Sequence, residues 1–421
     1  MRQILDLHIH SKYSRACSPE LNFGNLDKIG RIKGVDVIAT GDFTYPAWLS
    51  AIKSELEEDG SSGLYKLKGS DGKVKFILST EVALIYKDGG PHARRIHLVV
   101  HAPNVEAAER LFSALDKKYN VRSDGRPILG MSAPDFVKLC LSIHPKFLVY
   151  PAHIWTPWFS VFGSKSGFDT FEECFRDQTP NIYAYETGLS SDPEMNWRVS
   201  ALDDLTLLSN SDAHSLANIG RECNIFDLVD MTYDEIYEAI KAKDLSKIKG
   251  TIEFYPEEGM YHFDGHRDCG FSCEPAETKK LKGLCPKCKK PLVIGVMNRV
   301  EALADRPAGA RPKNSYPFHK LVELDKIIAE SLGVKSRSSK KVKKEYNDLV
   351  GRFGSELYIL LDCPLEEMAS SGVTTPDIVE GIKRVREGRL HIKPGYDGEY
   401  GKVEIFNDKE RRNGKAQRSL L

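Results

Sequence analysis

The 421-residue chain carries 60 basic and 60 acidic side chains, so its formal net charge is zero. A hydrophobic fraction of 41% excludes a mostly disordered chain, and the length allows two or three domains. No run of about 18 apolar residues is present, and the start MRQILDLHIH lacks the apolar core of a secretory leader, so a cytoplasmic protein without a membrane partner is expected.

In chain order, strands are predicted at 4–7, 35–40, 75–80, 96–100, 147–151, 181–185 and 206–209, with helices between them such as 106–119, 133–142 and 232–243. Alternation of this kind implies βαβ units and a parallel sheet, and six or seven units in about 240 residues favour a barrel over an open sheet. The expected division is a barrel over 1–250, a cysteine-bearing module over 251–296, a basic, mainly helical region over 297–407 and a polar tail over 408–421. Within the third part, 305–317 (DRPAGARPKNSYP) reads as a loop; helices are predicted near 317–332 and 374–388, with a basic stretch at 335–347 between them.

The zero net charge hides an asymmetry. Residues 1–277 hold 30 Lys and Arg against 41 Asp and Glu, a net of −11; residues 278–421 hold 30 against 19, a net of +11. A basic C-terminal part of this size points to an anionic partner. Glutamine occurs only at Gln3, Gln178 and Gln417, which together with abundant Lys and Glu is a composition of hot habitats.

Of nine cysteines, five (Cys17, Cys140, Cys174, Cys223, Cys363) are scattered and fit buried apolar positions. Cys269, Cys273, Cys285 and Cys288 instead form two close pairs. Such pairs on tight turns present four thiolates to one structural Zn²⁺, and a cytoplasmic setting disfavours the alternative of two disulfides.

Almost every predicted strand ends at a metal-ligand residue type. His8 and His10 share one side of an extended chain, since side chains alternate with period two. Asp42, Glu81, His101, His153 and Glu186 follow the next five strands, and Asp212 and His214 follow the last. At the C-terminal face of a barrel these nine residues would converge. Five imidazoles and four carboxylates exceed the needs of one ion and suit two or three divalent metals: Zn²⁺ is expected, with Mn²⁺ or Mg²⁺ as alternatives. Glu81 and Asp212 are the candidate bridging or water-orienting carboxylates. Asp192 and Arg198, in the loop after Glu186, are candidates for proton transfer and for stabilising transition-state charge.

The segments DLHIH, ATGD, STE, VVH, PAH, YET and SDAH resemble the PHP (polymerase and histidinol phosphatase) family over roughly residues 1–240. That resemblance implies a distorted (β/α)7 barrel with a two- or three-metal site that hydrolyses phosphoesters. In the second motif Asp42 stands where that family often has histidine, and 11–17 contains none of the histidine the family places there, so a third metal site is less complete.

The four-cysteine segment, followed by Met297-Asn298-Arg299-Val300-Glu301 and Leu303-Ala304-Asp305-Arg306-Pro307, resembles the endonuclease Q family of archaeal and bacterial DNA-repair enzymes along almost the whole chain. The resemblance implies metal-dependent incision of double- or single-stranded DNA on the 5′ side of a deaminated base (uracil, hypoxanthine or xanthine) or an abasic site. Reading such a base requires taking it out of the stack. Aromatic and Gly/Ser-rich residues beside the metal face (Trp155, Trp158, Ser164, Lys165) and the segment after His10 (Lys12, Tyr13, Arg15) are the candidate substrate contacts. In the tail, Gln417 and Leu420 match the start of a sliding-clamp (PCNA) binding box. The alternatives are a PHP phosphatase for a small phosphomonoester, which leaves the zinc module and the +11 part unused, and a catalytically inactive DNA-binding adaptor.

Overall fold

In the computed structural model, which describes residues 2–90, 92–407 and 410, all seven predicted strands form, but they do not make one parallel sheet. The largest sheet has eight strands in the order Phe318–Lys320, Ile248–Glu253, Cys223–Asp227, Arg2–Asp6, Val37–Ala39, Lys75–Ile77, Tyr65–Leu67, Leu56–Glu58. Arg2–Asp6, Val37–Ala39 and Lys75–Ile77 are parallel neighbours, whereas Cys223–Asp227 pairs antiparallel with Arg2–Asp6. A second sheet orders Ile128–Leu129, Ser79–Lys87, Ala93–His101 and Leu148–Pro151, in which Ala93–His101 is antiparallel to both long neighbours. Ala184–Glu186 and Thr206–Leu208 form a parallel pair.

The strand ends close into a ring. The Ile154 N–H donates to Glu186 O at 3.0 Å, the Leu7 N–H to Asn210 Oδ1 at 3.0 Å, and Ile9 bridges Ala213. These bonds satisfy backbone groups that short strands leave open. The strands read as near-continuous apolar runs because both faces are covered: Leu5, Val37, Ile38, Phe76, Leu98, Val99, Val149 and Leu208 are all buried. Helices Val105–Asp116, Ala133–Ile143 and Tyr233–Lys241 match the predicted ones; Asn104, Ser132 and Thr232 cap them by accepting N–H bonds.

The boundary expected at 250 falls inside the strand Ile248–Glu253, and Phe318–Lys320 returns from beyond the cysteine module to complete the main sheet. Between them, Asp264–His266 and Phe271–Cys273 form a small hairpin followed by the helix Pro275–Lys280. The C-terminal region is helical as expected, with Leu324–Ser331 and Pro376–Arg386 on the two predicted helices; the basic stretch leads into a further helix, Lys340–Phe353, and Val296–Leu303, Glu356–Leu361 and Leu365–Ser370 are helices the sequence reading did not anticipate. Its apolar face (Ile327, Ile328, Leu349, Ile359, Ile378, Ile382) joins the core of the N-terminal part. Lys33 and Glu356 form a buried ion pair at 2.8 Å across that junction. No helix among the described residues is long and apolar enough to cross a membrane. Gln417 and Leu420 lie outside the described residues.

Candidate active site

Asp42, His153 and Asp212 adopt positive φ values of 47°, 28° and 44°. Non-glycine residues rarely do so, and each stands just past a strand end, where the chain turns sharply and turns the side chain over the ring. They are three of the ten non-glycine residues with positive φ among the described residues.

Two donor groups share one carboxylate. Nε2 of His10 lies 3.2 Å and Nε2 of His8 3.8 Å from Oε2 of Glu81, and Oδ1 of Asp212 faces the same two nitrogens at 3.2 and 3.8 Å. The other carboxylate oxygen, Oε1, has Nδ1 of His97 at 2.8 Å and Nε2 of His153 at 3.3 Å. A third group combines His10, Asp212 and His214; the ligand atoms within each group lie within 4.8 Å of one another. His8 Nε2, His10 Nε2 and Asp212 Oδ1 are buried atoms without a hydrogen-bond partner. Burying such atoms unpaired is costly, so their convergence fits divalent cations, which imidazole and carboxylate together accept.

The nine expected ligands divide. His8, His10, Glu81, His153, Asp212 and His214 are in these groups. Asp42 is not: Oδ1 stands 3.2 Å from Nδ1 of His10, and Oδ2 accepts from the Ser11 N–H (2.7 Å), the Ser11 hydroxyl (2.7 Å) and the Ser14 hydroxyl (2.8 Å). Glu186 likewise holds Nδ1 of His8 at 2.9 Å and accepts from Asn210 Nδ2 at 3.3 Å. Both carboxylates orient a histidine from its rear edge, leaving Nε2 for the cluster.

His101 is also outside the groups, and His97, not anticipated from the sequence, takes its place. The reason is strand direction. In a parallel strand the final residue would reach the site, but Ala93–His101 runs back along Ser79–Lys87, pairing Ala83 with His97 and Ser79 with His101. His101 therefore sits four residues further along the strand, about 13 Å from His97, where its Nε2 meets the Tyr150 hydroxyl at 3.1 Å.

Electrostatics follow from burial and pairing. Burial pushes the His97 imidazole down to about 4 and that of His101 to about 3. His97 is thus neutral at pH 7, the form that binds metal. Burial acts the same way on His8 and His10, but Glu186 and Glu81 around His8, and Asp212 and Asp42 around His10, reverse it and hold both well above the ordinary range. Burial opposes ionisation of Glu81, yet His97 and Arg126 keep it well below the usual carboxylate range. Arg126, also unanticipated, places Nη1 2.9 Å from Oε2 of Glu81.

Asp192 and Arg198 make their contacts elsewhere. Asp192 caps the helix Pro193–Asn196 and pairs with Lys320 at 2.6 Å; Arg198 pairs with Glu301 at 2.6 Å and donates to Arg306 O. They join the ring to the C-terminal part, through partners more than 100 residues away that local sequence does not reveal. Among the expected substrate contacts, Trp155 is buried and donates through Nε1 to Asn196 Oδ1 at 2.8 Å, so it is a core residue. Trp158 is 51% exposed, with the Arg95 guanidinium 5.6 Å from its ring centre. Its neighbour Phe159 packs on His97 with ring centres 4.6 Å apart. Lys12, Arg15, Ser164 and Lys165 are exposed, and Tyr13 stacks on Tyr45 at 4.6 Å.

The cysteine module gathers a separate donor group: Cys269, Cys285, Cys288 and His266, all within 4.8 Å. Three of the four expected cysteines are in it, and His266 completes it. Cys273 stands beside it on the partner strand, its Sγ 3.3 Å from Thr278 Oγ1. His266 and Cys269 are separated by two residues, as are Cys285 and Cys288, so each pair occupies one tight turn.

A sequence-family model, the MJ0043 C-terminal domain, matches residues 323–389. The protein MJ0043 of Methanocaldococcus jannaschii is 32% identical over 257 residues, 59% of this chain, and the match spans 31% of that protein's length. YqxK of Bacillus subtilis is 29% identical over 384 residues, covering 88% of this chain and 89% of YqxK. Among solved structures, the lesion-specific endonuclease PfuEndoQ from Pyrococcus furiosus superposes with a TM-score of 0.84 at 29% identity, over 98% of this chain and 99% of that one. A structure of Endonuclease Q in complex with a 27-mer duplex carrying an abasic lesion at the active site gives a TM-score of 0.83 at 31% identity over 98% of both chains.

Proposed function

The chain belongs to the endonuclease Q family, and from that premise we propose that it is a DNA-repair endonuclease hydrolysing the phosphodiester 5′ to a deaminated base (uracil, hypoxanthine or xanthine) or an abasic site. The observation that carries the proposal is Glu81, whose two oxygens face separate groups of metal-binding atoms: Oε2 faces the buried, unpartnered Nε2 atoms of His8 and His10, and Oε1 faces Nδ1 of His97 and Nε2 of His153. A carboxylate shared between two donor groups would keep two metals close together, as phosphoester hydrolysis by paired metals uses them.

In this reading the ring is a PHP barrel. His8, His10, Glu81 and Asp212 would hold one divalent cation and Glu81, His97 and His153 a second; His214 and Asp212 would offer donors to a third, since the one free nitrogen of His10 serves the first. Bound there, such ions lower the pKa of a water and offset the charge of the phosphoryl group. Asp212, 22% exposed and facing both His8 and His10, would bridge the ions or orient the attacking water. Asp42 and Glu186 fix the imidazoles of His10 and His8. Trp158 would offer an exposed stacking face next to Phe159, which packs on His97, and Lys12, Tyr13, Arg15, Ser164 and Lys165 would contact the DNA. The basic C-terminal part would neutralise backbone phosphates and make binding salt-dependent. The cysteine module would hold a structural zinc with no open position for chemistry.

The test is incubation of end-labelled duplexes containing uracil, hypoxanthine, an abasic site or only normal bases with Mg²⁺, Mn²⁺ or Zn²⁺, beside His8→Ala and Asp212→Ala variants. Lesion-dependent nicking that both variants lose while still binding DNA supports the proposal. Hydrolysis confined to small phosphomonoesters overturns it, as does DNA binding without incision under every metal.

A further inference from the structure

The Arg126 guanidinium is an unusual neighbour for a metal site. It approaches Oε2 of Glu81, the oxygen that also faces His10, at 2.9 Å, and Asp212 and His214 lie within its field. Glu81 is also faced by the metal-binding nitrogens of His8, His10, His97 and His153, so the guanidinium stands directly beside both donor groups. A fixed cation among metal-binding groups also repels the metals, a cost offset only when an anion joins them. The side chain keeps 26% exposure, and among the described residues its guanidinium donates to no side-chain acceptor besides Glu81. The remaining N–H groups are free to meet an incoming ligand.

Its backbone is pinned to the segment that carries His8 and His10. Asp124 Oδ1 accepts the N–H groups of both Arg126 (3.0 Å) and Arg15 (3.4 Å), and the Gly125 N–H donates to Tyr13 O at 3.0 Å. A Cβ at Gly125 would come within 2.4 Å of Asp42 Oδ2 and of Ser14 Oγ, so the close approach requires glycine. The guanidinium is thus held in place before any substrate arrives, which is where an arginine fork gains most on a phosphate.

We propose that Arg126 is a phosphate-binding subsite at the rim of the cluster, its guanidinium taking a non-bridging oxygen of the phosphodiester that is cut. The inference rests on the endonuclease reading, and its test separates the two. Arg126→Ala and Arg126→Lys are compared with wild type by metal content, by calorimetric titration with inorganic phosphate and by single-turnover incision of a lesion duplex. Arg126→Ala should keep the wild-type metal stoichiometry, lose at least tenfold in phosphate affinity and lower the incision rate by about 10²–10³, the usual cost of one transition-state donor. Arg126→Lys should not restore the rate, because a point charge does not replace the fork, whereas added guanidinium should partly rescue the alanine variant. Unchanged phosphate affinity in Arg126→Ala overturns the subsite, and so does loss of metal, which would make Arg126 a support for Glu81. If wild type fails to incise, the endonuclease reading falls, while the phosphate titration still decides the subsite.

Discussion

Oδ1 of Asp42 stands 3.2 Å from Nδ1 of His10, so the carboxylate holds the imidazole by the edge that faces away from the cluster. Glu186 does the same to His8 at 2.9 Å. Carboxylates placed this way set the tautomer and basicity of a metal-binding histidine, and their loss costs 10–100-fold in metal affinity or activity as an order of magnitude. Asp42→Asn and Glu186→Gln should each weaken metal binding by about that factor without unfolding the protein. Metal titration followed by activity checks this; wild-type affinity in both variants would show that neither carboxylate positions its histidine.

His97 and His101 make opposite predictions. His97→Ala should lower the metal stoichiometry by one, because it removes one of three donors in its group. His101→Ala should leave the stoichiometry intact and destabilise the fold by about 1–3 kcal/mol, as it strips the buried Tyr150 hydroxyl of a partner. Elemental analysis and thermal unfolding of the two variants distinguish them.

What the sequence revealed here has a clear boundary. Strand positions and the residue types at their ends were legible, since alternation and apolar runs are local properties. Strand direction was not. His97 and His101 share a face of one strand, and only the antiparallel pairing with Ser79–Lys87 decides that His97 reaches Glu81. The role of Asp42 was equally hidden, because a carboxylate that binds a metal and one that orients a histidine look alike in sequence. The contacts of Asp192 and Arg198 were hidden for a third reason: their partners Lys320 and Glu301 are brought in by tertiary folding. His266 was visible as the start of a two-residue spacing with Cys269, a signal that the C-x3-C reading overrode.

The cysteine module gives a competition between two donors. His266→Ala should release the structural zinc and lower thermal stability, since metal binding is folding free energy in a module of this size. Cys273→Ser should retain one equivalent of zinc, because Cys273 lies beside the four-donor group and faces Thr278. Zinc release measured with a colorimetric chelator tests the pair, and the reverse pattern would restore the four-cysteine site.

Beneath the ring, burial pushes the Glu253 carboxyl up to about 8, with Asp192 adding to the rise; burial and Glu253 together raise Glu222 well above its ordinary value. Between the usual 4.5 and about 8 the folded chain therefore holds a proton that the unfolded chain has released. The stabilisation is complete below pH 4.5 and is lost as pH rises through 8. Glu253→Gln, which keeps an acceptor for the Thr187 hydroxyl now 3.2 Å away, should flatten this decline. Thermal unfolding from pH 5 to 9 should show wild type losing more stability than the variant toward the alkaline end; parallel curves would contradict the assignment.

The central claim is that Glu81, flanked by its two donor groups, cuts one defined bond in damaged DNA. The most direct measurement is mapping of the incision at single-nucleotide resolution, on a duplex with one hypoxanthine labelled on either strand, for wild type and Glu81→Gln loaded with the same metal. The account predicts one metal-dependent cut at the phosphodiester 5′ to the lesion, on the lesion strand alone, and its loss in Glu81→Gln. Cuts scattered over undamaged sequence, or an unchanged cut in Glu81→Gln, would contradict it.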